Sequence, residues 1–136
     1  MVRTRSLKVK VSSITDGTSN TLMVGERRQF LGELLVTGSS YDNEPCYAAG
    51  FNNGTDSECM RVAVSNGSGS WLTPAQNTNV ALNSLTGWQF GSSHVGAMNG
   101  VFADGSVRVI RYEVDPTLFM RICVRNDGAV VDTSGL

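Results

Sequence analysis

The 136-residue chain carries 11 Lys plus Arg against 12 Asp plus Glu, a formal net charge of -1, and its sequence pI is near 5.7. With no overall field to draw it to polyanions, nucleic acid is excluded as a leading partner. No run approaches the roughly 20 apolar residues needed to cross a bilayer, and the N-terminus has no apolar signal-peptide core.

Only 17% of the residues are charged, while 15 are glycine, a balance that favours strands joined by many turns. The length suits one core, so a single domain over residues 1–136 is expected. Near the start, Leu7, Val9 and Val11 alternate with Lys8 and Lys10, the pattern of a half-buried strand with the basic residues on its wet face. The abrupt start at Met1 reads as a boundary left by processing or cloning. The segment from Ile14 to Thr21 is dense in turn and cap residues and reads as a tight turn with one helical turn. It feeds a second strand from about Thr21 to Gln29, and Gly32 to Thr37 reads as a further short strand.

From about residue 38 to 86 periodicity disappears and Gly, Asn, Ser and Asp dominate, which predicts a long irregular loop. Cys46 and Cys59 flank part of it. Joining them would remove unfolded-state entropy worth about 3 kcal/mol, so a disulfide is expected there, with two thiols as the alternative. Cys123 falls in an apolar helical pattern and reads as a buried reduced thiol. No Cys-x-x-Cys or Cys/His cluster supplies a zinc site. Asp42, Asn43 and Glu44 are weak calcium candidates without EF-hand spacing, and no other cofactor is expected. A phosphate-binding loop is absent too, because no lysine follows Lys10. Trp71 and Trp88 are expected to anchor the loop on the sheet.

The C-terminal third is the most legible. Two apolar runs surround Asp104-Gly105, which predicts a hairpin over about residues 99–112 with a type I′ turn at that dipeptide. In that register Phe102 lies opposite Val107 and shares a face with Val109. Asp115 suits an N-cap and Pro116 a first helical position, so a helix is expected over about residues 116–125. Its apolar face would carry Leu118, Phe119, Ile122 and Cys123. Gly128 would cap it, and Ala129 to Asp132 would return as a strand. The fold class is therefore α+β: a mostly antiparallel sheet, one short C-terminal helix and a long irregular loop.

Ile14-Thr15-Asp16-Gly17-Thr18-Ser19-Asn20-Thr21-Leu22-Met23-Val24-Gly25-Glu26-Arg27 resembles an internal motif of the prepilin-type (pilin- and pseudopilin-like) family of planctomycete-type bacteria. His94, nine residues and then Asp104-Gly105 resemble that family's C-terminal signature. The closing Arg125 to Val131 is similar to the family's ending, although Ala129 stands where a Glu is usual. The resemblance implies a β-rich, extracytoplasmic head domain, with membrane contact only through an N-terminal helix missing from this chain. Its structural motif residues would be Asp16, Gly17, Thr18, Asn20, Gly25, Glu26, His94, Asp104 and Gly105.

His94 is the only histidine, and with Asp104 and Ser92 or Ser93 it raises the thought of a hydrolase. An extended run from Asn99 to Ala103 would hold Asp104 roughly 15 Å or more from the strand's start, so a structural hydrogen bond is the better expectation for His94. Asp16, Asn20 and Asp104 read as turn and cap residues. A non-catalytic structural or adhesive surface subunit is therefore expected, with other protein subunits or surface ligands as partners. The alternative is a carbohydrate- or protein-binding module that contacts its ligand through Tyr41, Tyr47, Trp71 and Trp88.

Overall fold

The apolar runs around Asp104-Gly105 do pair, and they form the centre of the molecule. The structure is a computed structural model and describes residues 10–33, 65, 68–82, 86, 89–129 and 131–136. In chain order the elements are β1 (Leu22–Gly25), β2 (Ala75–Gln76), β3 (Gly91–Ser92), β4 (Ala97–Phe102), β5 (Val107–Arg111) and α1 (Pro116–Ile122). An antiparallel sheet of order β1-β4-β5 carries the core, and β2 pairs with β3 in a small parallel sheet. The fold is α+β.

Alternation along β4 decides the two faces. Met98, Gly100 and Phe102 point to the covered side, where α1 packs. There Leu22, Phe90, Met98, Phe102, Ile110, Val114, Phe119 and Ile122 form one buried cluster. Phe90 and Phe119 meet edge to face with ring centroids 5.7 Å apart. Asp115 caps α1 by accepting the Leu118 N–H at 2.8 Å, and Pro116 occupies the first turn, as expected.

The hairpin register differs from expectation by one residue. Val101 lies opposite Val107, and the Gly105 N–H donates to the Phe102 carbonyl at 2.9 Å. Ala103, Asp104 and Gly105 therefore form a three-residue loop, with Gly105 at φ 85°, instead of a two-residue type I′ turn. Phe102 is consequently buried, whereas Val107 and Val109 face outward. The reason is tertiary: the Ala103 N–H donates to the Thr21 carbonyl and the Asp104 N–H to the Thr18 carbonyl, drawing both loop residues toward the first motif.

Further expectations change. Val11–Ser13 form a 3-10 turn with Val11 exposed, and Leu31–Glu33 form another, so neither described stretch is strand. The second strand ends at Gly25 instead of Gln29. The helix ends at Ile122 because the Arg125 carbonyl accepts from Thr15 and Asp16, pulling the chain off the helix axis. Gly128 therefore caps no helix, and described residues 129 and 131–132 are not strand. Within the supposed irregular loop, Ala75–Gln76 are strand and Thr78 bridges Phe30. Cys123 is half-buried against the core.

Candidate functional site

The first motif closes on the chain's end. Asp16 accepts the Asp127 N–H at 2.7 Å through Oδ2 and the Gly128 N–H at 2.9 Å through Oδ1. The Arg125 guanidinium donates to the Ser13 carbonyl at 3.0 Å, completing the latch. Gly17 stands at φ 97°, ahead of a 3-10 turn at Thr18–Asn20, and its carbonyl accepts the Thr21 hydroxyl. The Asn20 side-chain amide returns to the Asp16 carbonyl at 3.1 Å. The turn and cap residues of the motif thus tie residues 13–21 to residues 125–128 and to the hairpin tip.

Burial acts to raise the Asp16 carboxyl, but the hydrogen bonds from Asp127, Gly128 and Thr15 together hold it below its ordinary value of 3.8. Asp104 is also held low, chiefly by the Ser106 hydroxyl and amide, then by Arg108. A carboxylate lowered on folding stabilises the native state above its unfolded value, and that stability is lost as pH falls through the folded value. Urea midpoints of the wild type should therefore drop below about pH 3.8. Asp16→Ala should lower the neutral-pH midpoint and flatten that acid limb; an unchanged limb would show that the latch is not formed.

The second cluster joins Glu26 of the first motif to His94 of the C-terminal signature. Glu26 Oε2 accepts the Asn99 backbone N–H at 2.6 Å and its side-chain amide at 3.3 Å. His94 Nε2 lies 3.5 Å from Glu26 Oε1, with the imidazole 62% exposed. The preceding Gly25 lies under the Phe90 ring, and a Cβ there would come within 2.9 Å of it. Behind the cluster, Ser92 Oγ is buried, donates toward the Ala97 carbonyl and accepts the His94 backbone N–H at 3.0 Å. The Tyr112 hydroxyl reaches Ser92 Oγ and the His94 carbonyl, both at 2.9 Å. The loop carrying His94 is therefore held in place through its backbone.

The pairing of His94 with Asp104 suggested by the signature does not form. The two stand at opposite ends of β4, and a six-residue strand spans roughly 17–20 Å. Asp104 instead accepts the Ser106 N–H at 2.8 Å and lies 3.7 Å from the Arg108 guanidinium. Arg108 also stacks over Phe102, 4.3 Å from the ring centre. Ser93 accepts from the Asn77 side-chain amide at 2.9 Å.

Among the described residues no group of three His, Cys, Asp or Glu is placed to hold a metal. Tyr41, Asp42, Asn43, Glu44, Cys46, Tyr47, Cys59 and Trp88 lie outside the described residues. Trp71 is half-buried and bridges Ser65. A shallow groove beside α1 is lined by Asp115, Arg121 and Asp132, but both carboxylates cap backbone N–H groups. Tyr112 and Asn99 escaped sequence reasoning as parts of the cluster. The only signal was their position just past β5 and within β4, and it carries meaning once the strands are paired.

The family described as "Protein of unknown function (DUF1559)" matches residues 1–117, a span that includes the Asp16 motif, the Glu26–His94 cluster and the whole hairpin. No curated protein and no solved structure matches the chain. With most of its length covered and both motifs inside the match, the chain belongs to the DUF1559 family of proteins of unknown function.

Proposed function

We propose that the chain is the non-catalytic head of a pilin-like, extracytoplasmic surface subunit, structural or adhesive in role, that contacts other protein subunits or surface ligands. The observation that carries this reading is how the motif side chains are used. Asp16, Glu26 and Asp104 each accept backbone N–H groups, so the chemistry-bearing carboxylates are engaged in holding loops and the chain's end. A nucleophilic serine needs its hydroxyl directed at the imidazole. Ser92 instead turns its hydroxyl to the Ala97 carbonyl and Tyr112, and it meets His94 only at the backbone. The result is a braced platform suited to display.

Immunogold labelling and protease shaving of intact cells that encode the chain test the reading. Label on the outer surface and loss of the chain on shaving are expected. A chain confined to the cytosol would end the proposal. So would a turnover by the purified protein that His94→Ala abolishes.

A further inference from the structure

The latch gathers its hydrogen bonds within residues 13–16 and 125–128, and two residues carry them from both sides. Arg125 accepts through its carbonyl, from the Thr15 N–H at 2.9 Å and the Asp16 N–H at 3.3 Å, and donates through its guanidinium to the Ser13 carbonyl at 3.0 Å. Asp16 donates its own N–H and accepts the Asp127 and Gly128 amides through its carboxylate, at 2.7 and 2.9 Å. Each of the two therefore grips the other segment by backbone and by side chain at once. Gly128 stands at φ 76°, and two successive amides turned to one side in this way make a small concavity that suits an anionic oxygen. Partner numbers rise in step, from 13 with 125 to 16 with 127 and 128, so the two segments run in the same direction.

The latch also precedes the core along the chain. After it come Thr18 and Thr21, whose carbonyls accept the Asp104 N–H at 3.1 Å and the Ala103 N–H at 2.9 Å. Only then does β1 begin and pair with β4 over the buried cluster. Tension that enters ahead of residue 13 reaches the sheet through the latch. At the other end, residues 131–136 hold by Arg108 donating to the Thr133 hydroxyl at 3.1 Å and by Leu136 against the core, and the latch comes next.

We infer that this latch is a mechanical clamp, which takes up tension applied to the N-terminal side of the chain and keeps it from the strands and the core. In two segments that run the same way, a pull on the outer ends acts along the pair in opposite senses. The hydrogen bonds are then strained together and do not open one after another. Those made by the Asp16 carboxylate and the Arg125 guanidinium are charge-assisted, the stronger kind. Resistance of this kind is separate from equilibrium stability, because unfolding under force follows the unfolding barrier and not the free energy of folding. A pull is what a surface subunit meets, so the clamp adds to that reading, but its mechanics do not depend on it. A weak latch in a chain found on the cell surface would overturn the clamp alone, and a strong latch in a cytosolic chain would end the surface reading alone.

Constant-force pulling of the full chain, through handles fused to its two ends, tests the clamp. Asp16→Ala removes the carboxylate and Arg125→Ala the guanidinium. Each should raise the unfolding rate at a given force by about fivefold or more, the scale expected when charge-assisted hydrogen bonds are taken out of a barrier. Tyr112→Phe is the control, since it deletes hydroxyl contacts of 2.9 Å to Ser92 and to the His94 carbonyl at the far end of the hairpin. It should lower the urea midpoint yet leave the rate under force as in the wild type. An unchanged rate in either latch variant would overturn the inference. So would an acceleration in Tyr112→Phe equal to theirs, which would show that the latch contributes general stability only. Arg125→Ala keeps the test decisive if Asp16→Ala fails to fold.

Discussion

Phe119→Ala is expected to remove about 3–5 kcal/mol of unfolding free energy, the range for deleting a fully buried phenylalanine. Phe119 has no exposed surface, lies in the first turns of α1, and meets Phe90 edge to face. Removing the ring leaves a cavity among Met98, Phe102, Ile110 and Ile122, all at 1% exposure or less. The backbone there is held by the Asp115 cap and by the paired strands, so the site has little freedom to collapse. A loss of that size takes a large share of the roughly 5–15 kcal/mol that stabilises most domains. It corresponds to a fall in Tm of about 10 °C or more for a chain of this length. Urea and thermal unfolding followed by far-UV circular dichroism read the effect. A double-mutant cycle with Phe90→Leu should return a coupling of about 0.5–1.5 kcal/mol from the ring pair. A loss below about 1 kcal/mol, with no coupling to residue 90, would place the core elsewhere.

Gly91→Ala should be nearly as damaging, for a different reason. A Cβ built at Gly91 would lie 1.8 Å from the Ala75 carbonyl oxygen and 2.9 Å from the Arg28 Cβ. The oxygen belongs to a paired backbone: Ala75 and Gly91 are register partners, and the Ala75 N–H donates to the Phe90 carbonyl at 3.0 Å. It has no flexible side chain to move aside. Residues 73–78 must therefore separate from β3, and the link from Arg28 to the Gln76 carbonyl is lost with them. Overpacking against an immovable group costs about 3 kcal/mol or more. Gly105→Ala is the matched control. Its φ is 85° but its Cβ would meet nothing within 4 Å, so only the left-handed backbone strain of about 1–2 kcal/mol is expected. Hydrogen exchange at the amides of Ala75 and Asn77 should quicken in Gly91→Ala and stay as in the wild type in Gly105→Ala. Equal effects of the two substitutions would remove the close approach as the cause.

These contrasts show where local sequence suffices. Asp115-Pro116 starts α1 because an N-cap carboxylate and a residue with preset φ act within one turn, whatever lies around them. Asp104-Gly105 marks a reversal for the same reason, since this tight hairpin loop needs a residue at positive φ and Gly105 supplies it. Asp16, Gly17 and Asn20 are legible as turn residues, but their role as a latch on Asp127 and Gly128 is not. The partners lie more than a hundred residues away in the chain, and hydrogen-bond chemistry alone names no distant amide. Glu26 and His94 belong to separate motifs and meet because β1 and β4 pair. The more tempting partner for His94, Asp104, is held away at the far end of β4.

By itself, the sequence determined the α+β class, the positions of the hairpin and the helix start, and the residues that turn the chain. These depend on dihedral preference and on patterns confined to a few neighbours. Tertiary structure decided the hairpin's register and thereby which valines are buried and which are presented to solvent. A one-residue slip costs almost nothing in local propensity but reverses every side chain on a strand. The amides of Ala103 and Asp104, bound to the carbonyls of Thr21 and Thr18, and the burial of Phe102 in the core favour the observed register.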